Sequence, residues 1–163
     1  MKKKELEIIF EETFGFLLTD YNFCISFSKQ EGWGYHLIAT NSTTGIEIEY
    51  EFKEAFIQIY LYKLVDGKIV KNVSSAIKND EPIMGFGLGW IIQLVNPTDK
   101  IRPAYEYKEE PSFYDNKNGL RNYASFIASK LKRYASDILK GDFSLFGDLD
   151  TLVKENYNKG ERG

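Results

Sequence analysis

Seven residues, Ile46-Glu47-Ile48-Glu49-Tyr50-Glu51-Phe52, alternate strictly between apolar and acidic. A strand turns successive side chains to opposite faces, so this run fits only a β-strand with one face in a core and the other turned outward. The same period of two precedes it. Tyr21, Phe23, Ile25 and Phe27 alternate with Asn22, Cys24, Ser26 and Ser28, and Trp33, Tyr35, Leu37 and Ala39 follow a turn at Gln30-Glu31-Gly32. Phe56 to Val65 is apolar on nearly every position, which suits a central strand, and Asp66-Gly67 is a two-residue hairpin signal before Lys68-Ile69-Val70.

Helical spacing brackets these strands. Leu6, Ile9, Phe10, Thr13, Phe14 and Leu17 mark one N-terminal amphipathic helix ending near Thr19-Asp20. From Leu120 the period returns through Tyr123, Ala124, Ile127, Leu131, Tyr134, Ala135 and Ile138, and Gly141 ends it. Leu145, Phe146, Leu149, Leu152 and Val153 predict a last helix, with fraying from Asn158 to Gly163. Asn72 to Pro111 has no sustained period apart from a short helix through Leu88, Ile91, Ile92 and Val95, stopped by Asn96-Pro97. Strands first and long helices last define an α+β class rather than alternating α/β. The expected architecture is a single domain over 1–163. It has an antiparallel sheet of four or five meandering strands over about 21–72, with an N-terminal and two C-terminal helices packed on one face.

Composition narrows the chemistry. With 163 residues the chain can bury one core. One cysteine, Cys24, and one histidine, His36, cannot supply a disulfide or the usual zinc sets, and neither a metal site nor a cofactor is expected. The basic start Met1-Lys2-Lys3-Lys4 runs into Glu5, Glu7, Glu11 and Glu12, so no secretion signal is read and a cytoplasmic protein without membrane association is expected. Asn41-Ser42-Thr43 and Asn72-Val73-Ser74 match the glycosylation pattern by chance on that reading. The net charge of -3 argues against general nucleic-acid binding. The acidity is local: residues 1–60 hold 5 basic and 10 acidic residues.

No catalytic motif assembles from these residues. Gly85-Phe86-Gly87-Leu88-Gly89 lacks the spacing and the preceding βαβ unit of a dinucleotide loop, and no Gly-Lys-Ser/Thr follows. It reads as a loop entering a helix, with a lid over a ligand as its functional reading. Cys24 and His36 would have to form any thiol dyad, but a turn near Glu31 sets them about two rungs apart. Glu47, Glu49 and Glu51 read as a solvated acidic stripe, extended by Glu54, that could dock a basic partner. Lys117, Arg121, Lys130, Lys132, Arg133 and Lys140 read as the outer face of the long helix. Tyr105, Tyr107, Phe113 and Tyr114 either anchor a partner or cover the sheet.

The segment Phe14-Gly15-Phe16-Leu17-Leu18-Thr19-Asp20-Tyr21-Asn22-Phe23, with the tyrosine-bearing hairpin and Ile46-Glu47-Ile48-Glu49-Tyr50, resembles small bacterial proteins of unknown function, some labelled immunity proteins of toxin systems. The resemblance covers about the first 65 residues. Asn22 stands where that pattern usually has glycine, and asparagine also tolerates left-handed backbone angles. The resemblance implies a non-enzymatic binder that occludes a basic toxin such as a nuclease. The residues therefore support a protein-binding module using Glu47, Glu49, Glu51 and Glu54. The alternative is a small-molecule-binding protein or enzyme with an aromatic pocket gated by Gly85, Gly87 and Gly89, and an oligomer subunit joined through an edge strand is a third reading.

Overall fold

The computed structural model describes residues 3–162 of the chain; Met1, Lys2 and Gly163, the ends of the basic start and of the expected fraying tail, lie outside them. Two helices, α1 (Lys3–Thr13) and α2 (Phe16–Tyr21), lead into strands β1 (Cys24–Gln30), β2 (Gly34–Thr40), β3 (Thr44–Glu51) and β4 (Phe56–Lys63). After α3 (Val73–Asn79) come β5 (Gly85–Gly87), α4 (Leu88–Val95), two 3-10 turns, α5 (Gly119–Leu139) and α6 (Phe146–Arg162). The five strands form one antiparallel sheet in the order β1-β2-β3-β4-β5. This is the expected α+β meander with helices against one face.

Parity explains the layers. Tyr35, Leu37 and Ala39 of β2, Ile46 and Ile48 of β3, and Ile57, Ile59 and Leu61 of β4 point into a core shared with Leu6, Phe10, Leu88, Ile91, Tyr123, Ile127, Leu131 and Leu149 from the helices. Burying a Leu, Ile or Phe side chain contributes roughly 1.5–3 kcal/mol, so this face drives folding. Asn41 pins its corner: its Nδ2 donates to Tyr21 O and Leu139 O, both at 3.0 Å, while Oδ1 accepts from the Thr43 and Thr44 amides.

Several expectations are corrected. The N-terminal helix is two, because the chain breaks at Phe14-Gly15 while the apolar stripe runs on through Leu17. Asn22 then caps the C-terminus of α2 in the left-handed conformation (φ 59°, ψ 31°). In β1 the register slips between Ile25 and Phe27, and the extra residue, Ser26, turns Phe27 to the outer face. Ser28 takes the inner position instead, its hydroxyl 2.6 Å from that of Tyr35. Asp66 and Gly67, with φ of 51° and 73°, do form the tight turn, but only one bridge, Val65 to Lys68, follows. No strand forms at 68–70; the fifth strand is β5, drawn from the segment that lacked a period. The last helix continues to Arg162 rather than ending near Asn158.

Candidate functional site

The outer face of the sheet begins with Thr40, Ile38 and His36 on β2 and continues through Glu47, Glu49 and Glu51 on β3 to Gln58, Tyr60 and Tyr62 on β4. His36 stands directly across from Glu49, Glu47 across from Tyr60, and Tyr62 one step along from that pair. The chain beyond β4 folds back over this face, where Ile69 lies against Gly45, and so delivers Lys71 to Glu47.

Glu47 is the centre. It is 2% exposed, and three side chains donate to it: His36 Nε2 and Lys71 Nζ each reach Oε1 at 2.7 Å, and the Tyr62 hydroxyl reaches Oε2 at 2.8 Å. Burial pushes the Glu47 carboxyl up, but the bonds from Lys71, Tyr62 and His36 together outweigh it and hold the group below the usual carboxylate range. Glu49, 3.9 Å from His36 Nε2, goes the other way: burial and then the charge of Glu47 push it up. The Tyr62 phenol is held protonated by burial and by the carboxylate that it donates to.

This corrects the solvated stripe. Glu47 is buried and internally neutralised, Glu49 and Glu51 are half-buried, and Glu54 sits in the β3–β4 turn beside Tyr105. Alternation placed all three strand carboxylates on one face correctly, but burial on that face comes from Lys71 and Tyr62. Only the pairing of His36 with Glu49 was accessible from the sequence, by counting back from a turn centred on Ser42-Thr43.

Gly85 and Gly87 are not part of a loop. They pair with Tyr62 and Tyr60 as outer-face positions of β5, while Phe86 points to the core. The Tyr62 ring lies across Gly85, where a Cβ would overlap its Cδ1 and Cε1 atoms. The Tyr60 ring covers Gly87 at an ordinary 3.7 Å. Gly89 lies in the first turn of α4, so a lid over 85–89 has no free backbone to move. On either side of Tyr60, Gly87 and Trp90 lie two clefts of about 490 and 570 Å³. One reaches Gln58 and Gln93, the other Lys71 and Ser74.

Several of the remaining candidates are absorbed by the fold, while Tyr105 and Tyr114 stay about half exposed. Cys24 pairs with Thr40, four positions along β2 from His36, about 13 Å at strand spacing, so no dyad forms. On α5, Lys130 binds both oxygens of Asp99, Arg121 pairs with Glu12, and the Lys132 ammonium lies 4.2 Å over the Phe16 ring. Tyr107 and Phe113 pack on Tyr123 and Phe126. Among the described residues no helix is long and apolar enough to cross a membrane. Comparison with protein-family models, with curated proteins and with solved structures finds no match to this chain.

Proposed function

We propose that this protein is a non-enzymatic binding module that docks a basic protein on the outer face of its sheet, occluding it as an immunity protein would, a label carried by some of the small bacterial proteins of unknown function that its first 65 residues resemble. One observation carries the reading: on that face two large aromatic side chains, Phe27 (37% exposed) and Trp33 (42% exposed), flank His36 beside the Glu49 carboxylate. Exposed aromatics next to uncompensated charge suit an interface with an anchoring centre and a charge-steered approach. Glu49, Glu51 and Glu54 supply the charge; Glu47 lies beneath them and supports the face.

The test is affinity capture from the source cell lysate at low and high salt, comparing the wild type with the Glu49→Lys/Glu51→Lys/Glu54→Lys variant. A basic protein retained at low salt by the wild type alone supports the reading. Recovery of the same proteins by both forms, or of none, sinks it. A small-molecule reading draws on a different observation, the paired clefts at Tyr60 and Trp90, whose volumes fall within the range of ligand sites. It predicts a thermal shift with a metabolite that Trp90→Ala removes.

A further inference from the structure

We propose that His36, Glu47 and Glu49 bind a divalent transition-metal ion of the zinc class, and that the Lys71 ammonium takes the cation's place when the metal is absent. The count of one cysteine and one histidine excludes closed Cys/His sets, but not a mixed set of one imidazole and two carboxylates. The geometry is close to what such a set needs. The three ligand atoms lie within 4.8 Å of one another, with Nε2 2.7 Å from Glu47 Oε1 and 3.9 Å from Glu49 Oε1. Metal–ligand bonds of about 2.1 Å in a tetrahedron put neighbouring ligands about 3.4 Å apart, so two of these spacings adjust by less than about 1 Å.

The scaffold and the charge point the same way. The ligands stand on two adjacent inner strands of the sheet, where backbone pairing fixes their spacing. Two carboxylates meet one ammonium, and the excess negative charge is what a divalent ion completes. A cation already holds one of these ligands: Lys71 Nζ lies 2.7 Å from Glu47 Oε1. It is the replaceable member: its side chain is 59% exposed and it comes from the irregular chain after β4. Once it leaves, Tyr62 still donates to Glu47 Oε2 and orients the carboxylate, as outer-shell partners of metal ligands do. Phe27 and Trp33 flank the imidazole with apolar surface, and the partial exposure of His36 (17%) and Glu49 (30%) leaves an entry path. One nitrogen and two oxygens favour zinc or manganese over magnesium and calcium, which prefer all-oxygen sets.

The test is calorimetric titration of the tag-free, chelator-treated full chain with zinc chloride, with magnesium chloride run in parallel. Expected is one equivalent of zinc and no magnesium, with affinity lowered at least about tenfold by His36→Ala and by Glu49→Gln. Both residues are partly exposed, and circular dichroism verifies that each variant is folded. Lys71→Ala removes the competing ammonium and is expected to tighten binding several-fold, and Cys24→Ser to leave it unchanged. Absence of binding at about 1 mM zinc, wild-type affinity in either ligand variant, or loss with Cys24→Ser overturns the site. Unchanged or weaker binding by Lys71→Ala overturns the role given to that lysine.

Discussion

Replacing Gly85 with alanine tests whether the glycines of β5 make room for the tyrosines of β4 or merely loosen a loop. A Cβ at Gly85 overlaps the Tyr62 ring, which is anchored at its far end by the 2.8 Å bond to Glu47. The ring must move, and moving it breaks that bond. A hydrogen bond to a charged group contributes about 1.5–3 kcal/mol. Forcing an extra methyl into packed surroundings costs about 1–3 kcal/mol more, offset by about 0.5–1 kcal/mol from the lower chain entropy of alanine. The net expectation is a destabilisation of about 2–5 kcal/mol. At a urea slope of about 2 kcal/mol/M the unfolding midpoint falls by about 1–2.5 M.

Two controls make the cause specific. Gly87→Ala meets Tyr60 only at van der Waals distance and should be neutral or stabilise by up to about 1 kcal/mol, through the same entropic gain. In a Tyr62→Ala background the obstacle is gone, so Gly85→Ala should become neutral or stabilise by about 0.5–1 kcal/mol. The assay is equilibrium urea denaturation followed by tryptophan fluorescence. If Gly85→Ala costs under about 0.5 kcal/mol, or costs the same with and without Tyr62, the close-approach reasoning is wrong.

Three further perturbations address other joints of the fold. Tyr123→Phe removes a buried hydroxyl that accepts from the Ile57 amide and donates to Arg102 O, and should cost about 1–3 kcal/mol in the same urea assay. Asn41→Ala strips five bonds from the corner joining α2, α5 and the β2–β3 turn, and should cost about 2–4 kcal/mol by thermal or urea melts. Glu47 and Glu49 should give opposite pH dependence. The stabilisation from Glu47, whose folded pKa is depressed, is full above the unfolded value of about 4.5 and is lost as pH falls through the lower folded value. Glu49, whose folded pKa is raised, instead loses stability as pH rises from about 4.5 through its folded value, so Glu49→Gln should be the more stable protein at pH 7. Unfolding midpoints measured from pH 3 to 7 check both signs.

Elements with a long, uninterrupted period were legible in the sequence: β2, β3 and most of the buried face of α5, which also includes Gly119, Ala128 and Leu139, while β4 was legible from its nearly unbroken apolar run. What escaped was short or was an interruption that leaves the period intact. Gly15 breaks the first helix without interrupting its apolar stripe, since Phe14 and Leu17 keep helical spacing across the joint. Ser26 inserts one residue into β1, yet Ile25 and Phe27 still look like alternating partners; only the pairing with Ala39 and Ile38 reveals the slip. β5 has three residues and α3 seven, too few for either period to declare itself. At Asp66-Gly67 the turn chemistry was right and the strand after it was not, because Ile69 packs on Gly45 instead of extending the sheet.

The same logic governs the site, and it changes how the charge of the chain is to be used. The first 60 residues carry twice as many acids as bases, but the fold spends part of that acidity internally. Glu47 is closed off by Lys71, His36 and Tyr62, Glu12 is paired with Arg121 from α5, and Glu31 takes the Trp33 indole and faces Lys29. Alternation assigns a side chain to a face and says nothing of what chain returns to cover it. A charge reversal that includes Glu47 therefore places a lysine against Lys71 in a buried position, where loss of binding and loss of the fold cannot be told apart. Reversal of Glu51 and Glu54 alone leaves that buried cluster and the adjoining Glu49 intact. Weaker association in that variant, with an unchanged unfolding midpoint, is then a statement about the surface alone.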